Sequence, residues 1–141
     1  MFKAELSRDI AVPADVAWSL LVDWGNTVWL SGPEKTEVVT RGHEVTRRLF
    51  IPGAEPIEET MLENDPASMT LEYTIAVSEL FRLADYSGRI AVVPADNGCH
   101  VVWGSCFSQG EMSDEEAAAV ASGNLNFLLD SLQGYLEKAP E

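Results

Sequence analysis

Histidine, cysteine and basic side chains are scarce in this chain, and each shortage removes a class of function. There are two histidines and two cysteines among 141 residues. His43-Glu44-Val45-Thr46-Arg47 opens like the zinc-protease motif His-Glu-x-x-His but has Arg47 where the second ligand belongs. Cys99 and His100 are adjacent in what reads as a strand, so their side chains point apart. With no CxxC either, neither a metal nor a cofactor is expected. Gly-x-Ser-x-Gly, a phosphate-binding glycine loop and a dinucleotide fingerprint are also missing. Nine Lys and Arg face 23 Asp and Glu, and the formal charge of −14 repels phosphate backbones and anionic lipid surfaces. Nucleic acid and membranes are therefore not expected partners. The carboxylates are scattered, which fits a solubilising surface better than an acidic docking tract.

Long apolar runs are missing too. No stretch approaches the roughly 18 apolar residues of a membrane span, and the start lacks a basic region leading into an apolar one. A soluble, cytoplasmic protein is expected. Cys99 and Cys106 fall in one strand, where extended chain separates them by roughly 23 Å on opposite faces. They cannot pair with each other and read as reduced thiols, which suits that compartment. The chain is 46% hydrophobic, enough for a real core, and shows no repeat or linker, so one domain over residues 1–141 is expected.

The chain does contain a run of alternating strands and one long helix. Strands are predicted at Phe2–Ile10 and at about Lys35–Arg41, Glu44–Ile51, Ile57–Asn64, Ser68–Ser78, Tyr86–Pro94 and Cys99–Ser108. The turns between them carry suitable residues: Pro52-Gly53, Asp65-Pro66 and the hairpin signal Asn97-Gly98. Ala14–Val22 reads as a short helix that turns Val16, Leu20 and Trp18 inward, and a second short helix is predicted at Thr27–Leu30. From Ser113 to about Ala139 the pattern is helical. Ser113 and Glu116 form a capping box. Ala117, Ala121, Leu125, Leu128, Leu132, Tyr135 and Leu136 share one side, widened by Val120, Phe127 and Leu129. Asn124 and Ser131 lie in that apolar arc and need partners, either the neighbouring backbone or a ligand.

Alternation assigns the inward faces. Met69, Leu71, Tyr73, Ile75 and Val77 share one, Tyr86, Ile90 and Val92 a second, and Cys99, Val101, Trp103, Ser105 and Phe107 a third. Arg47 and Glu59 share inward parity with their apolar neighbours. Charges in that position pair with each other, present a polar wall to a ligand, or are turned outward by a bulge. A lone long helix must lie across the sheet, and an incompletely filled interior is where small-molecule pockets form. Small Ala117 and Ala121 against bulky Leu128 and Leu132 predict the emptier space beside the first half of the helix.

Val12-Pro13-Ala14-Asp15-Val16-Ala17-Trp18, then Leu21-Val22-Asp23-Trp24-Gly25 and Trp29, resemble the opening of the START-like, Bet v 1-like (SRPBCC) superfamily, nearest its polyketide cyclase/dehydrase-like branch. Gly42 through Arg47, Glu59, Leu71-x-Tyr73-x-Ile75, Tyr86-x-Gly88, Asn97-Gly98, Val102-Trp103 and Phe107 follow in the expected order. His43-Glu44 departs from the small residues expected after Gly42. The resemblance spans nearly the whole chain and implies an α+β helix-grip fold: a seven-stranded antiparallel sheet around a long C-terminal helix, with two short helices after the first strand.

That superfamily includes lipid and hormone carriers, cyclases, dehydratases and chaperone activators, so fold alone does not choose among them. Two readings stand. In the first, a small hydrophobic molecule, aromatic or lipid-like, is held between sheet and helix by Trp29, Arg47, Glu59, Tyr73, Tyr86, Trp103, Ala121 and Asn124. In the second, a cyclase or dehydratase uses Glu59, Tyr73 and Tyr86 as acid–base groups, with Arg47 stabilising an enolate or phenolate. Against both, Tyr73, Tyr86, Trp24, Trp29 and Trp103 also suit a packed core. Monomer and homodimer are equally compatible with the sequence.

Overall fold

The computed structural model describes residues 1–76 and 83–138. Its elements run β1 (Phe2–Ile10), α1 (Ala14–Val22), β2 (Lys35–Arg41), β3 (Glu44–Phe50), β4 (Ile57–Asp65), β5 (Thr70–Ile75), β6 (Ala84–Ala95), β7 (Gly98–Ser108) and α2 (Asp114–Leu136). The strands form one seven-stranded antiparallel sheet in the order β1-β7-β6-β5-β4-β3-β2. Helix α2 lies against its inner face, which is the helix-grip arrangement. The predicted inward residues Val77 and the strand end at Ser78, and the helix end near Ala139, lie outside the described residues.

Alternation sets the core. Leu71, Tyr73 and Ile75 of β5, Tyr86, Ile90 and Val92 of β6, and Cys99, Val101, Trp103 and Phe107 of β7 are all buried. From α2 they meet Ala117, Ala121, Leu125, Leu129 and Leu132. This spacing keeps one stripe on the sheet for the length of the helix. Ser113 caps the helix as its sequence predicts, its hydroxyl accepting from the Glu116 amide while the Glu116 carboxylate accepts from the Ser113 amide.

Helix α2 is also tied to the edge strand β1. Arg8 has the inward parity of Leu6 and Ile10, and its guanidinium donates to Asp130 Oδ1 (2.7 Å), Gln133 Oε1 (3.0 Å) and Asn126 Oδ1 (3.1 Å). Glu137 accepts from the Ala11 amide at 2.9 Å.

Several expectations need correction. Thr27–Leu30 is a turn closed by one bond from the Leu30 amide to the Thr27 carbonyl, not a second helix. Helix α1 buries Ala14, Ala17, Trp18 and Leu21, and Val16 is exposed because it falls off that i, i+3, i+4, i+7 stripe. Val120, Phe127 and Tyr135 are exposed at the flanks of α2, since one sheet covers only a narrow arc of the helix. The β6–β7 turn is Asp96-Asn97, one residue earlier than Asn97-Gly98. Gly98 opens β7 at φ 152°, where a Cβ would sit 2.1 Å from the Ile10 carbonyl oxygen. Asn124 and Ser131 do not turn back to their own helix: Asn124 Nδ2 donates to the Tyr86 hydroxyl (3.5 Å), and Ser131 Oγ donates to Ser31 Oγ (3.2 Å).

Candidate functional site

Arg47 and Glu59 sit directly opposite each other on β3 and β4. A register irregularity does occur in β4, but between Met61 and Glu63, beyond Glu59, so the inward parity survives. Arg47 is 2% exposed and Glu59 8%. Arg47 Nε donates to Glu59 Oε1 at 2.6 Å. The rest of the guanidinium is covered: it lies 3.6 Å over the Trp24 ring, and Nη1 reaches the Trp24 carbonyl at 3.4 Å. Trp24 in turn donates its Nε1–H to the Glu59 carbonyl at 3.0 Å. Trp24 thus closes the pair from the loop after α1, a role for which the sequence carries no signal beyond the presence of an aromatic.

An aromatic chain continues from there. The Trp24 and Tyr73 rings lie 5.4 Å apart, Tyr73 and Tyr86 6.3 Å, and Tyr86 stacks on Phe107 at 6.3 Å. Trp103 Nε1 donates to the Tyr73 hydroxyl at 3.0 Å. Gly88 makes room for that hydroxyl, because a Cβ there would come within 2.3 Å of Tyr73 Cζ. Burial pushes the Tyr73 phenol well above its ordinary pKa, with the Tyr86 hydroxyl and the Glu59 carboxylate adding to the rise. Tyr86 is raised as well, first by burial, against the nearby polar side chains of Tyr73, Ser105 and Asn124, which lower it.

Between the sheet and α2 lies a cavity of about 270 Å³. Its walls are Leu49, Ile57, Glu59, Tyr73 and Ile75 from the sheet, Asn124, Phe127 and Leu128 from the helix, and Leu30, Ser31, Gly32, Pro33 and Ile51 from loops. The Ser31–Ser131 bond ties the 31–33 loop to the helix at its edge. A larger hollow, about 540 Å³ over Lys3, Glu72, Arg89 and Cys106, is on the outer face of the sheet and lined by charged side chains. The interior cavity is the better ligand site, being apolar with few polar groups.

Of the residues named from sequence, Glu59, Tyr73 and Asn124 line this cavity. Arg47 stands behind Glu59, and Tyr86 stands behind Asn124 and Tyr73. Trp29 and Trp103 pack against each other at 6.0 Å in the core. Trp29, Arg47, Tyr86, Trp103 and Ala121 are not among the lining residues. The space lies beside the middle of α2, at Asn124 to Leu128, rather than beside its first half. Ala117 and Ala121 are small because the helix packs closely there, both being fully buried. Leu49 and Ile57 were accessible to sequence reasoning through the parity they share with Arg47 and Glu59. The 30–33 loop was not, because no periodicity fixes where a loop folds. Among the described residues no group of His, Cys, Asp or Glu has metal-site geometry. Nor is any helix long and apolar enough to cross a membrane.

Among curated proteins no sequence match is found. Similar solved structures include XoxI of Bacillus cereus, 23% identical over 98% of this chain and 97% of that one, with a TM-score of 0.82. The Zhui aromatase/cyclase of Streptomyces sp. R1128 is 22% identical over 97% and 94%, with a TM-score of 0.71. Norcoclaurine synthase of Thalictrum flavum, solved with dopamine and hydroxybenzaldehyde, is 18% identical over 99% and 89%, with a TM-score of 0.69. At such identities the likeness establishes the fold alone. The family described as polyketide cyclase / dehydrase and lipid transport matches residues 1–137, and with its sheet, helix and interior cavity in place the chain belongs to that family.

Proposed function

We propose that this protein binds a small hydrophobic molecule in the cavity between the sheet and α2. The observation that carries this reading is the cavity itself: about 270 Å³, walled by aliphatic and aromatic side chains, with Glu59, Tyr73 and Asn124 as polar points. Pockets of this kind use apolar walls for affinity and a few polar groups for orientation. Trp29, Arg47, Tyr86, Trp103 and Ala121 then serve as the packed support of that wall. Free Cys99 and Cys106 are in keeping with a reducing compartment such as the cytoplasm.

A second reading, a cyclase- or dehydratase-like enzyme, is favoured by the presence of Glu59 and Tyr73 on one wall. The aromatase/cyclase and the norcoclaurine synthase of the same fold act on or bind aromatic compounds by their names and ligands. Tyr73, held protonated by burial, is no base near neutral pH and acts at most as a donor. Glu59 is the acid–base group that remains.

Native mass spectrometry of the purified protein tests the binding reading directly, through the mass of a co-purified molecule. A fluorescent hydrophobic probe supplies the complementary measurement: Leu128→Trp, which fills the cavity from α2, should weaken probe binding by an order of magnitude while the fold is retained. Absence of both a bound molecule and probe binding in the parent would remove the proposal.

A further inference from the structure

Glu59 fixes the polarity of the ligand as well as its place. We infer that the cavity takes a compact apolar compound that carries a neutral hydrogen-bond donor, such as a phenol or an alcohol, and discriminates against carboxylates of the same shape. This inference rests on the binding reading above and sharpens it. Among the described residues Oε1 of Glu59 is committed to Arg47, and no protein donor lies on Oε2. An ionised carboxylate has only acceptor sites, so a buried one favours a ligand O–H or N–H. The cation that an acidic ligand would need is not on offer. Arg47 gives Nε to Glu59 and Nη1 to the Trp24 carbonyl, is covered by the Trp24 ring, and does not line the cavity. A ligand carboxylate placed at this wall would meet a like charge in a desolvated site. The other polar groups do not reverse this preference. Tyr73 accepts from Trp103 and keeps its O–H as a donor, and Asn124 is an amide that provides donor and acceptor alike, but both are neutral and bring no counter-charge for a carboxylate.

Size limits the scaffold. An apolar cavity of about 150 Å³ holds a single benzene. At about 270 Å³, and open to solvent along one side beside half-exposed Phe127, the space covers a body of about one or two rings, and anything larger must project into solvent.

The test uses three compounds of one shape, 2-naphthol, naphthalene and 2-naphthoate, titrated calorimetrically into the intact protein at pH 7. We expect 2-naphthol to bind at least tenfold more tightly than 2-naphthoate, with naphthalene between them. Equal or tighter binding of 2-naphthoate overturns the inference while leaving a hydrophobic binding site in place. Failure of all three to bind strikes instead at the binding reading. Repetition near 1 M salt, where the screening length is about 3 Å, separates the local carboxylate from the overall negative charge. A preference that survives there belongs to Glu59, and one that vanishes overturns the inference. Glu59→Gln, if its circular dichroism matches the parent, should bring 2-naphthol and 2-naphthoate to within about threefold. An undiminished preference in that folded variant also overturns the inference, and the parent titrations decide the matter if the variant does not fold.

Discussion

Glu59 and Arg47 show what a single pair contributes. Both charges are almost wholly withdrawn from water, so each depends on the other more than a surface pair does. Glu59→Gln leaves the Arg47 guanidinium without its counter-charge and should lower unfolding stability by about 3 to 5 kcal/mol in a denaturant melt. Replacing both by well-packed apolar residues, Arg47→Met with Glu59→Leu, should recover most of that loss, because the desolvation penalty of both charges disappears with them. A double variant no more stable than Glu59→Gln would mean that the pair itself is worth more than its desolvation cost. Trp103 belongs to the same scale. It is 1% exposed and its Nε1–H is bonded to Tyr73, so Trp103→Ala should cost about 3 to 5 kcal/mol. An unchanged thermal midpoint would contradict its place in the core.

Helix α2 shows how one element performs two tasks along its length. Its first half, with Ala117 and Ala121, is fully buried in the core cluster, while Asn124, Phe127 and Leu128 border the cavity. The same size gradient that points to an empty first half from sequence thus marks close approach, and the void begins where the side chains become longer. Ala121→Leu should therefore overpack the core and destabilise by about 1 to 3 kcal/mol, as read from chemical denaturation. Probe affinity in the cavity should be nearly unaffected, in contrast to Leu128→Trp. Loss of binding without loss of stability in Ala121→Leu would return the pocket to the first half of the helix.

At the scale of the whole molecule, the two buried tyrosines link ionisation to folding. Their pKa values are raised in the folded protein above the ordinary value of about 10 of an unfolded chain. For a group raised on folding, the unfolded chain gives up its proton first as pH climbs. The stability is therefore complete below about pH 10 and declines progressively above it. Alkaline titration should show Tyr73 and Tyr86 turning to tyrosinate only together with loss of far-ultraviolet circular dichroism. Tyrosinate absorbance from more than one tyrosine before any unfolding would contradict their burial.

The sequence by itself determined most of the frame. Residue parity in β5, β6 and β7 assigned the buried faces, the Ser113–Glu116 box located the start of α2, and the shared parity of Arg47 and Glu59 brought both charges inward. These are properties of period two or of a single helix turn, so a short window of chain contains the whole cause. The tertiary structure alone decided the rest. Whether Arg47 faces a ligand or lies behind Glu59 depends on Trp24, 23 residues away on a loop, stacking over its guanidinium. Whether Tyr73 lines a cavity depends on Gly88 across the β5–β6 pair making room for its hydroxyl. The cavity itself is a difference between two packed surfaces, closed by the 30–33 loop that a Ser31–Ser131 bond holds against α2. No local pattern encodes such a difference, because it exists only once helix, sheet and loop have settled against one another.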